Sequence, residues 1–372
     1  MTRARALADL AGSASAGGIT GRNMVINGRM TVAQRSTSST GVGADGVTAY
    51  NNVDRWGIYI GTTSAGRVSM TQTAVTDLSG FSKSMKIQCT TQDTSIAAGE
   101  YLIFNQKFEG QNIQTIKSSS TTTQAFTLSF YAKSNASRAI ASELLFTNGT
   151  NKQISKLHTI GTSWARYTMT VPAASSTQID DDNSAQLNLN FWLHAGATYT
   201  GGTLNNDALD AMTNANRAAG IGSIFASTDN FIEITGVQLE VGETATPFEH
   251  EDYGTTLRKC QRYYYKVTQV FGVGFGNTNA AAQVELPFPV QMRTNPTAID
   301  TTGTAANYEV RVTGNDRAST SVPTIVADNY NSKDVGYVFF NLTAGHITAG
   351  GVGFCRGAVT DTGAYIAFKA EL

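Results

Sequence analysis

An all-β chain of two β-sandwich, jelly-roll-like domains, joined by a short helix and preceded by a short N-terminal anchoring segment, is what this sequence predicts. Three observations carry that expectation. Glycine occupies 36 of 372 positions, and Ser, Thr and Asn recur throughout, so the chain is rich in turn formers and poor in helix formers. Short runs that alternate apolar and polar residues follow one another between Ser/Thr/Gly clusters, the signature of strands with one buried face. The alternation gives way once, around residues 248–265, to apolar residues at helical spacing, and then resumes. At this length each of two domains can bury its own core without disulfide staples.

Taken in order, residues 1–21 read as an anchor and a tether. "TRARALADLA" has good helix propensity, with Arg3, Arg5, Leu7 and Leu10 as candidate attachment residues, and "GSASAGG" is a flexible leash. Residues 22–247 hold eight or more strand-like runs, among them "DRWGIYI", "EYLIFNQKF", "FTLSFYAKS", "LNLNFWLHA" and "FIEITGVQLE", which suits a sandwich or jelly roll. Trp56 shares parity with Ile58 and Ile60 and belongs to the core, while Asp54 and Arg55 before it suit a local ion pair or a capped turn. The stretch "GGTLNNDALDAMTNANRAAG" is an insertion, a short helix or a long loop beside the sandwich. In "FIEITGVQLE" the apolar parity changes at Gly236, as a β-bulge would make it.

Residues 248–265 form the predicted linker helix. Leu257, Cys260 and Tyr264 fall at helical spacing, and with Tyr263 and Tyr265 they offer an apolar, aromatic surface that needs cover from the adjoining domain or a neighbouring subunit. Residues 266–372 alternate again and form the second sandwich. There Pro287 and Pro289 lack the N–H of a central ladder, which puts their segment at a sheet edge or a strand end. Ile366, Phe368, Ala370 and Leu372 share one face of the last strand.

Charged residues are 15% of the chain and nearly balanced at a formal net charge of -1, with no basic run, so neither nucleic acid nor an anionic membrane is an expected partner. No segment has the apolar length of a membrane span. Cys89, Cys260 and Cys355 are widely spaced among apolar neighbours and suit buried thiols made in a reducing cytoplasm. "GVGADG" matches a dinucleotide-loop spacing but neither follows a strand nor opens a helix. The four histidines stand apart, with no metalloprotease spacing, and there is no Gly-x-Ser-x-Gly elbow. No enzyme is expected, although carboxylates from distant strands could be brought together in space. Asp180, Asp181, Asp182 and Asn183 offer hard oxygen ligands without the spacing of an EF-hand loop, and a solvated acidic turn is the simpler reading.

The most informative run is "LNLNFWLHA". Leu187, Leu189, Phe191 and Leu193 fall on one face, and Asn188, Asn190, Trp192 and His194 on the other. Amides beside a flat indole suit a sugar, giving hydrogen bonds to its hydroxyls and a platform for its C–H face. The alternative is that Trp192 packs under a loop or a subunit neighbour and the asparagines are merely solvated. Tyr131, on the outer parity of "FTLSFYAKS", is a candidate second platform.

Finally, "NMVINGRMTVAQR", "VDRW", "TLSFYAKS", "ITGVQLEVGETATPFEHEDYGTTLRKCQRYYYK" and "GAYIAFKAEL" together, in order, resemble a family of bacteriophage tail fibre or tail-associated virion proteins with a carbohydrate-binding-module-like jelly roll. The resemblance implies a structural or adhesion role on the virion. It also implies a homotrimer, attachment to other virion proteins through the N-terminus, host surface polysaccharide as the contact, and possible structural Ca²⁺. A capsid-decorating fibre and a glycan-degrading tail enzyme are the alternatives.

Overall fold

The computed structural model describes residues 21–43, 48–61, 64–326, 331–360 and 363–372. The expected attachment residues Arg3, Arg5, Leu7 and Leu10 lie outside the described residues. Between Tyr253 and Gly254 the chain divides into two compact units.

In the first unit the strands are β1 (Ser38–Val42), β2 (Thr48–Ala49), β3 (Gly57–Gly61), β4 (Arg67–Ala74), β5 (Lys83–Thr91), β6 (Tyr101–Glu109), β7 (Phe126–Ser134), β8 (Arg138–Phe146), β9 (Lys152–Ile160), β10 (Ala165–Val171), β11 (Ala185–Ala195), β12 (Asp210–Ala211) and β13 (Phe231–Val241). They form a six-stranded sheet in the order β1-β4-β5-β13-β7-β10 and a seven-stranded sheet in the order β12-β9-β8-β11-β6-β3-β2. The chain crosses between these sheets repeatedly, as in a jelly roll, and the described pairings are antiparallel.

Alternation explains the packing. Leu187, Leu189, Phe191 and Leu193 of β11 point inward with Leu102 and Phe104 of β6 and Ile140 and Leu144 of β8, all buried. Trp56 is fully buried among them as expected, stacked on Phe104 at 4.8 Å, and its Nε1 donates to the Asn27 carbonyl at 3.2 Å. The expected bulge is present. The β13–β7 register shifts between Thr235 and Gln238, and Gly236 has φ +58°, a left-handed backbone that glycine adopts without strain. A Cβ there would also lie 2.7 Å from the Phe81 ring.

In the second unit a helix, Tyr253–Gln261, leads almost directly into β14 (Tyr264–Thr268). There follow β15 (Val270–Thr278), β16 (Ala281–Pro287), β17 (Ile299–Thr301), β18 (Tyr308–Val312), β19 (Asn315–Ala318), β20 (Thr324–Ile325), β21 (Val335–Asn341), β22 (Val352–Gly357) and β23 (Tyr365–Lys369). A three-stranded sheet, β14-β23-β17, and a seven-stranded sheet, β19-β18-β22-β15-β16-β21-β20, share a core of Phe271, Val284, Leu286, Val338, Phe340, Ile366 and Phe368.

Of the two places expected for the Pro287 segment, the strand end is the one found: β16 is an interior strand, and Pro287 is the last residue of its ladder, opposite Val335. The tyrosine cluster is not an open contact surface: Tyr263 and Tyr264 are buried, Tyr265 packs edge-on against Phe288, and Leu257 is half-buried. Strand β14 follows the helix so closely that these rings belong to the unit's own packing. The three cysteines are buried thiols outside any disulfide. Among the described residues, no helix is long and apolar enough to cross a membrane.

His158 of β9 faces the core of the first unit, edge-on to Phe130 and within 2.9 Å of the Ser142 hydroxyl. Burial, aided by Lys156, lowers its pKa from 6.5 to about 4. Between those values the unfolded chain binds a proton that the folded chain does not, so stability is complete above about pH 6.5 and falls as the pH drops toward 4. The loss should reach about 3 kcal/mol. Urea unfolding of the first unit from pH 7 to pH 4 should show this slope, and His158→Gln should remove about one proton's worth of it.

Candidate functional site

The outer face of the seven-stranded sheet in the first unit carries the polar residues in rungs. Asn105, Asn190, Glu143 and Ser155 stand abreast on β6, β11, β8 and β9, and Lys107, Asn188, Leu145 and Gln153 form the next outward rung. On the other side of the first rung lie Ile103, Trp192, Ala141 and Leu157. Residues of β11 are therefore read from both faces, and from Leu189 to His194 every one of them is buried.

What covers the outer face is the insertion after β11. Its start is pinned where Gly196 N–H donates to the Glu100 carbonyl at 2.8 Å and Thr198 N–H to the Ala98 carbonyl at 2.9 Å. Its end is pinned where Gly222 N–H donates to the Ala139 carbonyl at 2.9 Å. β12, inside the insertion, pairs with β9. Tyr199, Leu204, Ala218 and Ile221 then pack on Trp192, Ile103 and Ala141, a small second core on the outside of the sheet.

Trp192 is thus fully buried and is not an exposed platform. It does face away from the main core, as its parity requires, but a loop packs over it. Tyr101 and Tyr199 lie 5.9 and 5.2 Å from its ring, and the Arg217 guanidinium lies 4.8 Å over it. His194 is likewise fully buried, with Nδ1 2.8 Å from the Ser223 hydroxyl and Nε2 3.4 Å from Glu100. Burial lowers its pKa, against the opposing pull of Glu100. Tyr131 lies on β7 in the opposite sheet, 5.1 Å from Phe81 and under Arg166, so it cannot join a site with Asn188 and Asn190.

At the centre stands Glu143, fully buried. Its carboxylate accepts Asn190 Nδ2 at 2.8 Å, Trp192 Nε1 at 2.9 Å, and Arg217 through Nε at 2.7 Å and Nη2 at 3.0 Å. Burial works against the Arg217 charge, but the Glu143 carboxylate outweighs it and holds the guanidinium above its ordinary pKa.

In front of this network is a groove of about 270 Å³. Its aromatic wall is Tyr59, stacked on Tyr101 at 5.7 Å, with Tyr199 edge-on to Tyr101 at 5.2 Å. Burial, then the neighbouring Tyr59 and Tyr199, raise the pKa of the Tyr101 hydroxyl, which stays protonated. The groove's polar lining is Asn105, Asn151, Asn188 and Asn190, with Lys107 and Arg217. Asn105 Oδ1 and Asn188 Oδ1 are buried and accept no hydrogen bond from the protein. An amide oxygen left so costs about 1–3 kcal/mol.

Of the sequence candidates, Asn188, Asn190 and Trp192 line the groove, the indole without exposed surface; His194 and Tyr131 are elsewhere. Tyr59, Tyr101, Tyr199, Asn105, Glu143 and Arg217 were not anticipated. The readable signals were the outer parity of "EYLIFNQKF" and a lone carboxylate inside the apolar "RAIASELLF". The acidic turn engages its carboxylates locally, Asp180 with Asn148 and Gln178, and Asp182 with Ser184 and Gln186. Among the described residues, no group of three His, Cys, Asp or Glu side chains could hold a metal ion.

Removing one partner of a buried pair strands the other charge. Arg217→Met should cost about 3–5 kcal/mol in urea unfolding and shift Trp192 fluorescence. Adding Glu143→Gln to that variant should restore part of the loss, whereas two independent sites would give additive losses.

No family model and no curated protein sequence matches this chain. Among solved structures it is similar to the enzymatically active domain of tailspike protein 4 of bacteriophage CBA120, at 15% identity over 59% of this chain and 22% of that one, with a TM-score of 0.31. It is also similar to a family 11 carbohydrate-binding module of a Clostridium thermocellum cellulosomal cellulase, at 13% identity over 55% and 99% of the two chains, TM-score 0.28. A third is the N-terminal cellulose-binding domain of a Cellulomonas fimi β-1,4-glucanase, at 11% identity over 57% and 100%, TM-score 0.27. At such identities and TM-scores, fold and chemistry rest on the strand order and side chains described above.

Proposed function

We propose that the first unit is a non-catalytic glycan-binding module, and that the chain serves as a structural or adhesion component of a bacteriophage virion. One observation carries the glycan reading: three tyrosines and four asparagines line one groove, and two of those asparagines have a buried oxygen that lacks a donor. A sugar presents C–H faces to the first and hydroxyl donors to the second. The virion setting, with attachment through the N-terminus and host polysaccharide as ligand, rests on the ordered motifs that resemble phage tail proteins.

Glycoside cleavage ordinarily needs two carboxyl groups about the scissile bond. The residues lining the groove include no carboxylate, and Glu143 behind them is engaged by Arg217, Trp192 and Asn190. This supports binding without turnover.

Titration calorimetry with host surface polysaccharide should give binding that Tyr59→Ala and Asn188→Ala each weaken by about tenfold, through lost stacking and a lost hydrogen bond. New reducing ends should stay at background. Unchanged affinity in both variants would move the ligand off this groove, and sugar release at catalytic rates would overturn the non-catalytic reading.

A further inference from the structure

The second unit carries a strand built inside out. In β15, "VFGVGFGNT", Val273 and Phe275 face solvent, 56% and 62% exposed, while Gly274 and Gly276 face the interior. Gly276 is held there by close approach, since a Cβ would fall 2.1 Å from the Thr348 carbonyl oxygen. Its neighbour β22 repeats the pattern: Val352 is 56% exposed and Phe354 half-exposed, with Gly353 buried between them. Register sets Phe275 beside Val352 and Val273 beside Phe354. The four side chains make one apolar block at the centre of a sheet face, on a unit whose other large apolar residues are mostly inside.

Charged residues flank this block on both sides. On the β18 side, exposed Arg311 pairs with Phe354 in register; its own ion pair to Asp316 is long, 3.9 Å. On the β16 side, exposed Glu285 follows Val284, which is opposite Gly274, so continuing the antiparallel register by one residue sets Glu285 beside Val273. Glu285 accepts a bond from the Tyr337 hydroxyl at 3.1 Å. From β18 to β16 the rung therefore reads basic, apolar, apolar, acidic, with Asp316 of β19 beyond Arg311 and held 2.9 Å from Arg356.

We infer that this face binds the same face of another copy of this chain, about a rotation axis parallel to β15 and β22. Any such axis carries the β18 flank of one copy onto the β16 flank of the next. Arg311 then meets Glu285 across each contact, and the uncharged Val273, Phe275, Val352 and Phe354 lose their water. The charge order is self-complementary only in that direction, which argues for a copy of this chain over an unrelated partner.

The test is mass against concentration by sedimentation on the full chain, with circular dichroism as the folding control. The wild type should associate at micromolar concentration. Phe275→Ser, which alters an exposed side chain, should keep the spectrum and weaken association at least tenfold. Arg311→Glu alone should also weaken it, and Arg311→Glu with Glu285→Arg should restore it. A wild type that stays at one chain mass on concentration, or a folded Phe275→Ser variant that associates as before, overturns the inference. So does a double exchange that fails to recover what the single one lost.

Discussion

A carboxylate with no solvent must be paired, and in the first unit that requirement organises everything on the outer face of the seven-stranded sheet. Glu143 is fully buried and collects hydrogen bonds from three residues of different origin: Asn190 and Trp192 on the adjacent strand, and Arg217 from the insertion. The pair with Arg217 ties a long connection to a fixed point on the sheet. The same guanidinium lies over the Trp192 ring, so one side chain closes both the charge and the aromatic layer. Without the insertion, Trp192, Ile103 and Ala141 would form an apolar patch on an outer sheet face; with it they become a second small core.

That arrangement decides what the groove can recognise. Trp192 lines the groove as a fully buried ring, and it fixes Tyr101 and Tyr199 by ring contacts. Rings held in this way lose little freedom when a ligand stacks on them, a direct benefit of preorganisation. The amides differ in readiness. Asn190 gives its Nδ2 to Glu143, whereas Asn188 and Asn105 keep an oxygen without a protein donor. Recognition by hydroxyl donation thus falls on two residues in neighbouring rungs, on adjacent strands.

The sequence carried the strands and their parity well. Trp56 inside, the bulge at Gly236, and the split of β11 into a leucine face and an amide face all follow from period-two alternation and the conformational freedom of one glycine. What alternation does not contain is whether the second face of a strand is open. That depends on a segment beginning at Gly196, whose apolar residues Tyr199, Leu204, Ala218 and Ile221 have no period of their own to reveal that they cover Trp192. Tyr131 shows the matching gap, for parity states which face of a sheet a residue occupies but not which sheet. The tyrosines at 263–265 read as an exposed cluster because helical spacing was extended through them, although the strand begins at Tyr264.

Strand β15 applies the same physics in reverse. A strand normally turns its large apolar residues inward because burial of apolar area is the main favourable term in folding. Beyond Phe271, which is in the core, Gly274 and Gly276 take the inner positions, Gly276 where the Thr348 backbone leaves no room for a side chain, and Val273 and Phe275 take the outer ones. The unit still has a full core, supplied by Phe271 of β15 itself and by β16, β21 and β23 through Val284, Leu286, Val338, Phe340, Ile366 and Phe368. Folding of the unit therefore does not require the outer residues. Their apolar character is left for a second event, contact with a surface outside the chain, and the charges of Arg311 and Glu285 on either side give that contact a direction.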